Sequence, residues 1–301
     1  MPDNTIAQGR TPRLPDWPGW LPLLAGPAFA TAFTAHSQPW LFMWALATTV
    51  FAGCKWLTWW DNAPAFAHAP AHRSLGYLFL WPGMDPRPFI DAPLASRPAM
   101  REWAFAAAKM LFGATLLWAI ARLQFPAHPL LTGWIAMLGL IFLLHFGAFH
   151  LAALIWQTAG IPAEPLMRNP IAAQSLSEFW SLRWNRGFTD LAHRHIFKPL
   201  LPRLGLTAAM LLTFLASGLV HDLVISVPAR GGYGLPSAYF LLQGLGILFE
   251  RSRTGRKAGL RHGIRRRLFA LTVAAAPAFW LFHPPFVSRV IIPFMQVIKA
   301  I

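Results

Sequence analysis

LGLTAAMLLTFLASGLVHDLVISV, residues 204–227, sets Ser217, Gly218, His221 and Asp222 inside an otherwise aliphatic run. Such a run is long enough to cross the roughly 30 Å hydrocarbon core of a bilayer as a helix, the one open structure that satisfies its own backbone there. Ionisable side chains are costly in that setting and tend to line cavities or pathways. Gly218 lets a neighbouring helix or a ligand approach closely. Ser217 lies one turn before His221, so its hydroxyl has the ring and the backbone within reach. A neutral imidazole accepts a proton; the competing reading is a structural histidine bonded between helices. Asp222 is about 100° around the helix from His221. It reads as a solvated residue near the span end and receives no role.

Seven further apolar runs surround this one, at 20–35, 38–59, 102–121, 130–156, 235–250, 268–282 and 286–300. Hydrophobic residues make up 55% of the 301 residues and charged ones 12%, well below the roughly 25% charged residues of soluble domains. The expectation is an all-α, polytopic membrane protein. It has about eight transmembrane helices and additional interfacial helices around an intramembrane reaction chamber, with residues 1–301 as a single membrane domain. Pro22 and Pro27 interrupt the first run. His283-Pro284-Pro285 separates the last two, which read as a partly inserted hairpin. Residues 1–19 are a polar, proline-containing tail rather than a cleavable signal. The single cysteine, Cys54, excludes an intramolecular disulfide and a cysteine-rich zinc site.

The net charge of +15 follows from the distribution of basic residues over the two sides. With the N-terminus cytoplasmic, 22 of 26 basic residues, including Lys55 and Lys299, fall on one side. That is the bias expected of cytoplasmic loops, and it predicts a multi-pass protein of the cell (inner) membrane with no nucleic-acid partner. The run Arg251 to Arg267 lies against anionic lipid headgroups in this reading.

Residues 157–203 are too charged to span and too long for an ordinary loop. They carry Leu176, Phe179, Trp180, Leu182, Trp184 and Phe188 among polar residues, the pattern of an interfacial or re-entrant amphipathic helix. Ser175 or Ser177 is its candidate cap, with Glu178 three residues after the former. On one continuous helix Glu178, Leu182 and Asn185 share a stripe, and Trp180 and Trp184 form another. Anchoring by tryptophan and arginine explains most of this composition but accounts poorly for Glu178 and Asn185. His145 and His150 are about 140° apart around a helix, and no metal-binding histidine pattern occurs, so no metal is expected. Glu250 beside Arg251 reads as an interfacial ion pair. There is no phosphate loop, nucleophile elbow or dinucleotide fingerprint.

Asn169-Pro170, SLSEFWSLRWN (175–185), HRHIFKPL (193–200), FLASGLVHDL (214–223), YFLLQGLGILFER (239–251) and FWLFHPPF (279–286) follow one another in order. This series, over residues 165–290, resembles the membrane-bound O-acyltransferases, in their wax synthase branch. Before residue 160 the likeness is limited to the pattern of spans and fragments such as WPGMDPRPF (81–89). The resemblance implies acyl transfer from a thioester to a hydroxyl, with His221 as the catalytic base and Asn185 as the second characteristic position. It implies acyl-CoA as co-substrate and no cofactor. The partners are a long-chain alcohol or other hydroxyl lipid and membrane lipids, and a homo-oligomer is admitted. Glu178, Trp184, Arg183, Arg186, Ser217 and Glu250 are the candidate substrate-binding residues, and Arg183, Arg186, Arg194 and Lys198 are placed to meet the phosphates of coenzyme A. The alternatives are an O-acetyltransferase acting on a polysaccharide or other secreted acceptor, and a transporter-like protein. One geometric tension accompanies the reading: His221 lies on the order of 25 Å along a helix that starts at Leu204, nearer the far side than the cytosolic donor.

Overall fold

The computed structural model describes residues 17–301; Arg10, Arg13 and most of the N-terminal tail lie outside the described residues. The described secondary structure is entirely helical. The long helices are α1 (Trp17–Thr34), α2 (Pro39–Trp60), α3 (Met100–Gln124), α4 (Pro129–Thr158), α6 (Arg186–Ala229), α7 (Leu235–Arg251), α8 (Ile264–Leu281) and α9 (Pro284–Val297), with a short α5 over 176–183. Proline opens several of them, at Pro39, Pro129 and Pro284. There it costs no hydrogen bond, because the first backbone N–H groups of a helix lack intrahelical partners.

The expected apolar runs all appear as helices, yet fewer than eight qualify as spans. Among the described residues α2, α3, α4 and α6 are long and apolar enough to cross a membrane, and α8 with α9 adds a fifth if the bent pair is one span. The 17 residues of α7 fall short of that length. The chain is an all-α integral membrane protein with four or five clear spans. The bend between α8 and α9 is 59°, as the His-Pro-Pro turn predicts.

Side-chain contacts gather the loops into two faces. On the basic face Lys55 Nζ donates to Gly83 O (2.7 Å), Arg251 Nη2 to Ser177 Oγ (2.7 Å) and Arg267 Nη2 to Ile171 O (3.2 Å). On the opposite face Arg230 Nη2 donates to Ala35 O (3.1 Å) and Arg289 Nη1 to Ala229 O (3.0 Å). Lys299 belongs to this second face, because its carbonyl accepts from Arg122 near the end of α3. Its expected place among the basic loops is thereby corrected. Instead of returning across the bundle, α9 stays by the mouths of α2 and α4, with Phe294 against Trp40 and Trp44 and Val287 against Gly133.

Two departures from a straight helix position the motif region. Trp184 is extended (φ −99°, ψ 123°) and Asn185 is left-handed (φ 40°, ψ 59°), a conformation asparagine tolerates better than most residues. The helix breaks there, so Glu178 lies on α5 while Asn185 lies in the link before α6, and the single-stripe expectation fails. The second departure is Gly205 (φ 73°, ψ 172°), which splits α6 into an outer limb and an inner limb that carries His221.

Candidate active site

The inner limb of α6 places His221 about 24 Å from Gly205 and about 12 Å from Ala229. Its Nδ1 lies 2.7 Å from the backbone oxygen of Ser217. A carbonyl only accepts, so Nδ1 carries the proton, and in the neutral ring Nε2 holds a free lone pair. The Ser217 hydroxyl bonds backward to Thr213 O (3.2 Å), so the carbonyl of Ser217, and not its side chain, orients the ring. Phe240 of α7 lies against the imidazole, with ring centroids 4.5 Å apart. His221 is half-buried. Close approach of α6 and α7 depends on Gly218, since a Cβ there would lie 2.6 Å from Ser237 Cα, as expected of a small residue at a helix contact.

The amphipathic segment enters the bundle from the basic face. Ser175 Oγ accepts from Glu178 N (3.0 Å) and caps α5. Trp180 then packs on Phe214 (6.0 Å) and Phe240 (5.6 Å), one ring away from His221, and donates through Nε1 to Gln243 Oε1 (3.2 Å). These contacts bring the motif to the depth of the inner limb. Trp184 stacks on Phe179 and meets Phe146 edge-on. Asn185 donates its backbone N–H to Met167 Sδ (3.2 Å), and its side chain caps nothing. Among the described residues no hydrogen bond joins Asn185 to His221.

The remaining candidates are committed to protein partners. Glu178 accepts from Gln174 N (2.8 Å) and Arg183 Nε (2.6 Å). Burial pushes its carboxyl up, while the Gln174 N–H and the Arg183 guanidinium outweigh that and hold it below the ordinary glutamate range. Arg183 also donates to the carbonyls of Arg168 and Asn169. Arg186 pairs with Glu164 (2.9 Å), which Arg168 also meets. Glu250 is 2% exposed. It receives Arg266 Nε (2.6 Å) and Leu176 N (3.2 Å), so it locks α5 to α7 and α8; the expected pair with Arg251 is not formed. A cleft of about 320 Å³ opens on the basic face beside Arg186 and Gly187. Its charged lining is Asp85, Arg87, Asp91, Glu164, Arg186 and Asp190, an acidic excess unsuited to a polyphosphate. Lys198 is exposed and Arg194 half-buried. No cluster of three or more metal-ligating side chains occurs among the described residues.

The region that holds this geometry also matches known proteins. The family model described as "Membrane bound O-acyl transferase family" matches residues 163–242. The motif region is similar to wax synthase-like membrane-bound O-acyltransferases. "Probable long-chain-alcohol O-fatty-acyltransferase 2" of Arabidopsis thaliana is 34% identical over 148 residues, 44% of this chain and 41% of that protein. "Probable long-chain-alcohol O-fatty-acyltransferase 6" is 30% identical over 129 residues, 41% of this chain and 37% of the relative. "Acyl-CoA--sterol O-acyltransferase 1" is 26% identical over 147 residues, 45% and 42%. All three are Arabidopsis thaliana proteins, and the chain spans about two fifths of their lengths.

Within the wax synthase-like region, sequence reasoning read Trp180 only as part of an anchoring stripe and gave Phe240 no role, although the two link the amphipathic segment to His221, and it left Asp222 without a role. The Asp222 carboxylate accepts from Ser226 Oγ (2.8 Å), Gly234 N (2.8 Å), Ser237 N (3.1 Å) and Ser237 Oγ (2.5 Å). The available signal was its place in an apolar run one helical turn, four residues, before another polar side chain, Ser226. His283, the first residue of the His-Pro-Pro turn, is 0% exposed and was read only as a helix breaker.

Proposed function

We propose that this protein is an O-acyltransferase that moves a fatty acyl group from acyl-CoA to the hydroxyl of a lipophilic alcohol, forming a wax ester or related lipid ester. The observation that carries the reading is the His221 ring, held through Nδ1 on Ser217 O with Nε2 left as a proton acceptor. In the proposed step Nε2 takes the hydroxyl proton as the alcohol oxygen bonds to the thioester carbonyl carbon. The tetrahedral intermediate collapses with cleavage of the carbon–sulfur bond, and the imidazolium returns its proton to the departing thiolate. Asn185, at the break between α5 and α6, orients the donor or stabilises the oxyanion. The acyl chain and the alcohol enter from the hydrocarbon, and coenzyme A stays on the basic face, which is the cytoplasmic side of the cell membrane in this reading. The acidic cleft supports a phosphate path elsewhere, past the exposed basic residues of 251–267 or Lys198.

The test is purified protein in lipid nanodiscs, incubated with labelled acyl-CoA and a panel of long-chain alcohols, sterols and polysaccharide acceptors. Ester formation with a long-chain alcohol is the expected product. Full activity in His221→Ala would sink the catalytic assignment. The likeness to a sterol acyltransferase makes sterol the second acceptor to compare, and preference for a two-carbon donor would favour acetyl transfer instead.

A further inference from the structure

The half-buried Asp222 and the fully buried Ser226 and His283 form a chain of hydrogen bonds at the opposite face, next to the proposed base. Ser226 Oγ lies 2.8 Å from Asp222 Oδ1 and 3.2 Å from His283 Nε2. His283 Nδ1 accepts from the backbone N–H of Phe286 (3.2 Å). An N–H only donates, so Nδ1 holds the lone pair and the neutral ring carries its proton on Nε2. The polarity therefore runs from His283 to Ser226 to Asp222. A nucleophilic serine needs the opposite polarity, with a lone pair of the imidazole facing its hydroxyl. Ser226 and His283 are also both 0% exposed, so no substrate reaches them. The trio is neither a hydrolase triad nor a solvated cluster.

Its connections point at His221. Asp222 follows His221 in the chain, and its N–H meets the carbonyls of Gly218 and Leu219 in the turn that carries the imidazole. The same carboxylate accepts Gly234 N and Ser237 N at the start of α7, the helix that supplies Phe240 to the face of the imidazole. One carboxylate thus registers the turn on which the ring is mounted and the helix it lies against. His283, through Ser226, ties that carboxylate to the turn between α8 and α9.

We propose that Asp222, Ser226 and His283 are positioning residues that fix the His221 imidazole for proton transfer, an inference that rests on His221 being the base of the proposed reaction. The test compares His283→Gln with His283→Asn in the full chain, with Ser226→Ala as a smaller perturbation. Glutamine places an amide N–H where Nε2–H stands and keeps the donor to Ser226. Asparagine keeps an acceptor at the Nδ1 position for Phe286 N–H and loses the donor to Ser226. Expected is near-native kcat in His283→Gln, and kcat lowered on the order of tenfold to a hundredfold in both His283→Asn and Ser226→Ala. KM for acyl-CoA and alcohol should be unchanged, and the thermal midpoint should stay level with that of His283→Gln. Native kcat in His283→Asn and Ser226→Ala overturns the proposal. So does a kcat loss that follows the thermal midpoint alike in all three variants, since a turn cap would behave that way. His221→Ala is assayed beside them: its inactivity with unaffected His283→Asn and Ser226→Ala refutes the positioning role alone, whereas its full activity refutes the base assignment on which that role rests.

Discussion

The imidazole of His221 differs from the other histidines in the spans by the company it keeps. His150 is occupied by Lys109 Nζ at 2.7 Å, and His145 Nδ1 is shut away without a partner. Among the described residues His221 combines an oriented Nδ1–H, a ring partner and partial access, which His145 and His150 do not. His221→Ala is expected to lower kcat/KM by about 10²–10⁴-fold with little change in thermal midpoint, read from initial rates of ester formation and from differential scanning fluorimetry. Glu178 carries a pH prediction. Its folded carboxyl titrates below the ordinary glutamate range, so the stabilisation it adds is complete above that range and is lost as pH falls through the depressed value. Acid titration followed by tryptophan fluorescence should show the native chain holding to lower pH than Glu178→Gln.

At the scale of elements, the site depends on how α5, α6 and α7 are joined. Gly218 sets the α6–α7 distance, and Gly218→Val forces a branched side chain against Ser237 Cα, 2.6 Å from where its Cβ must go. About 1–3 kcal/mol of stability should be lost, together with activity, as the helices part and Phe240 leaves His221. The measurement is denaturant or thermal unfolding beside the transfer assay. At the other end of α7, Glu250 is enclosed between Leu176 N and Arg266. Removing Glu250 leaves the Leu176 N–H without its acceptor and the partly exposed Arg266 without its partner, so Glu250→Ala should cost about 1–3 kcal/mol and loosen α5 first, seen as faster amide exchange over 174–183. Glu178, Leu182 and Asn185 looked continuous in the sequence because period counting assumes an unbroken helix. The left-handed Asn185 is a local conformation that periodicity does not register.

The whole molecule separates a basic face from a face bearing the α8–α9 bend. Cysteines introduced at Arg256 and Lys299, in a Cys54→Ser background, should react with an impermeant thiol reagent from opposite sides of sealed vesicles, because the carbonyl of Lys299 is bound by Arg122. Labelling of both positions from one side would restore the arrangement expected from charge counting. Membrane residence, the helical class, the positions of the apolar helices and the place of His221 in one of them were legible from the sequence, though not how many of those helices span, because hydrocarbon forces apolar length, internal backbone bonding and scarcity of ionisable groups on any segment that crosses it. The ordered motifs made the family resemblance legible as well. Only the tertiary structure decided which partners each polar group takes. It committed Arg183, Arg186 and Glu250 to protein carboxylates and guanidiniums, gave the His221 Nδ1 to a carbonyl rather than the Ser217 hydroxyl, and brought Asp222 to His283 across 61 positions of chain. The reason is physical: hydrophobic length is a local property of the chain, whereas a hydrogen-bond partner is chosen by whichever group packing brings within about 3 Å.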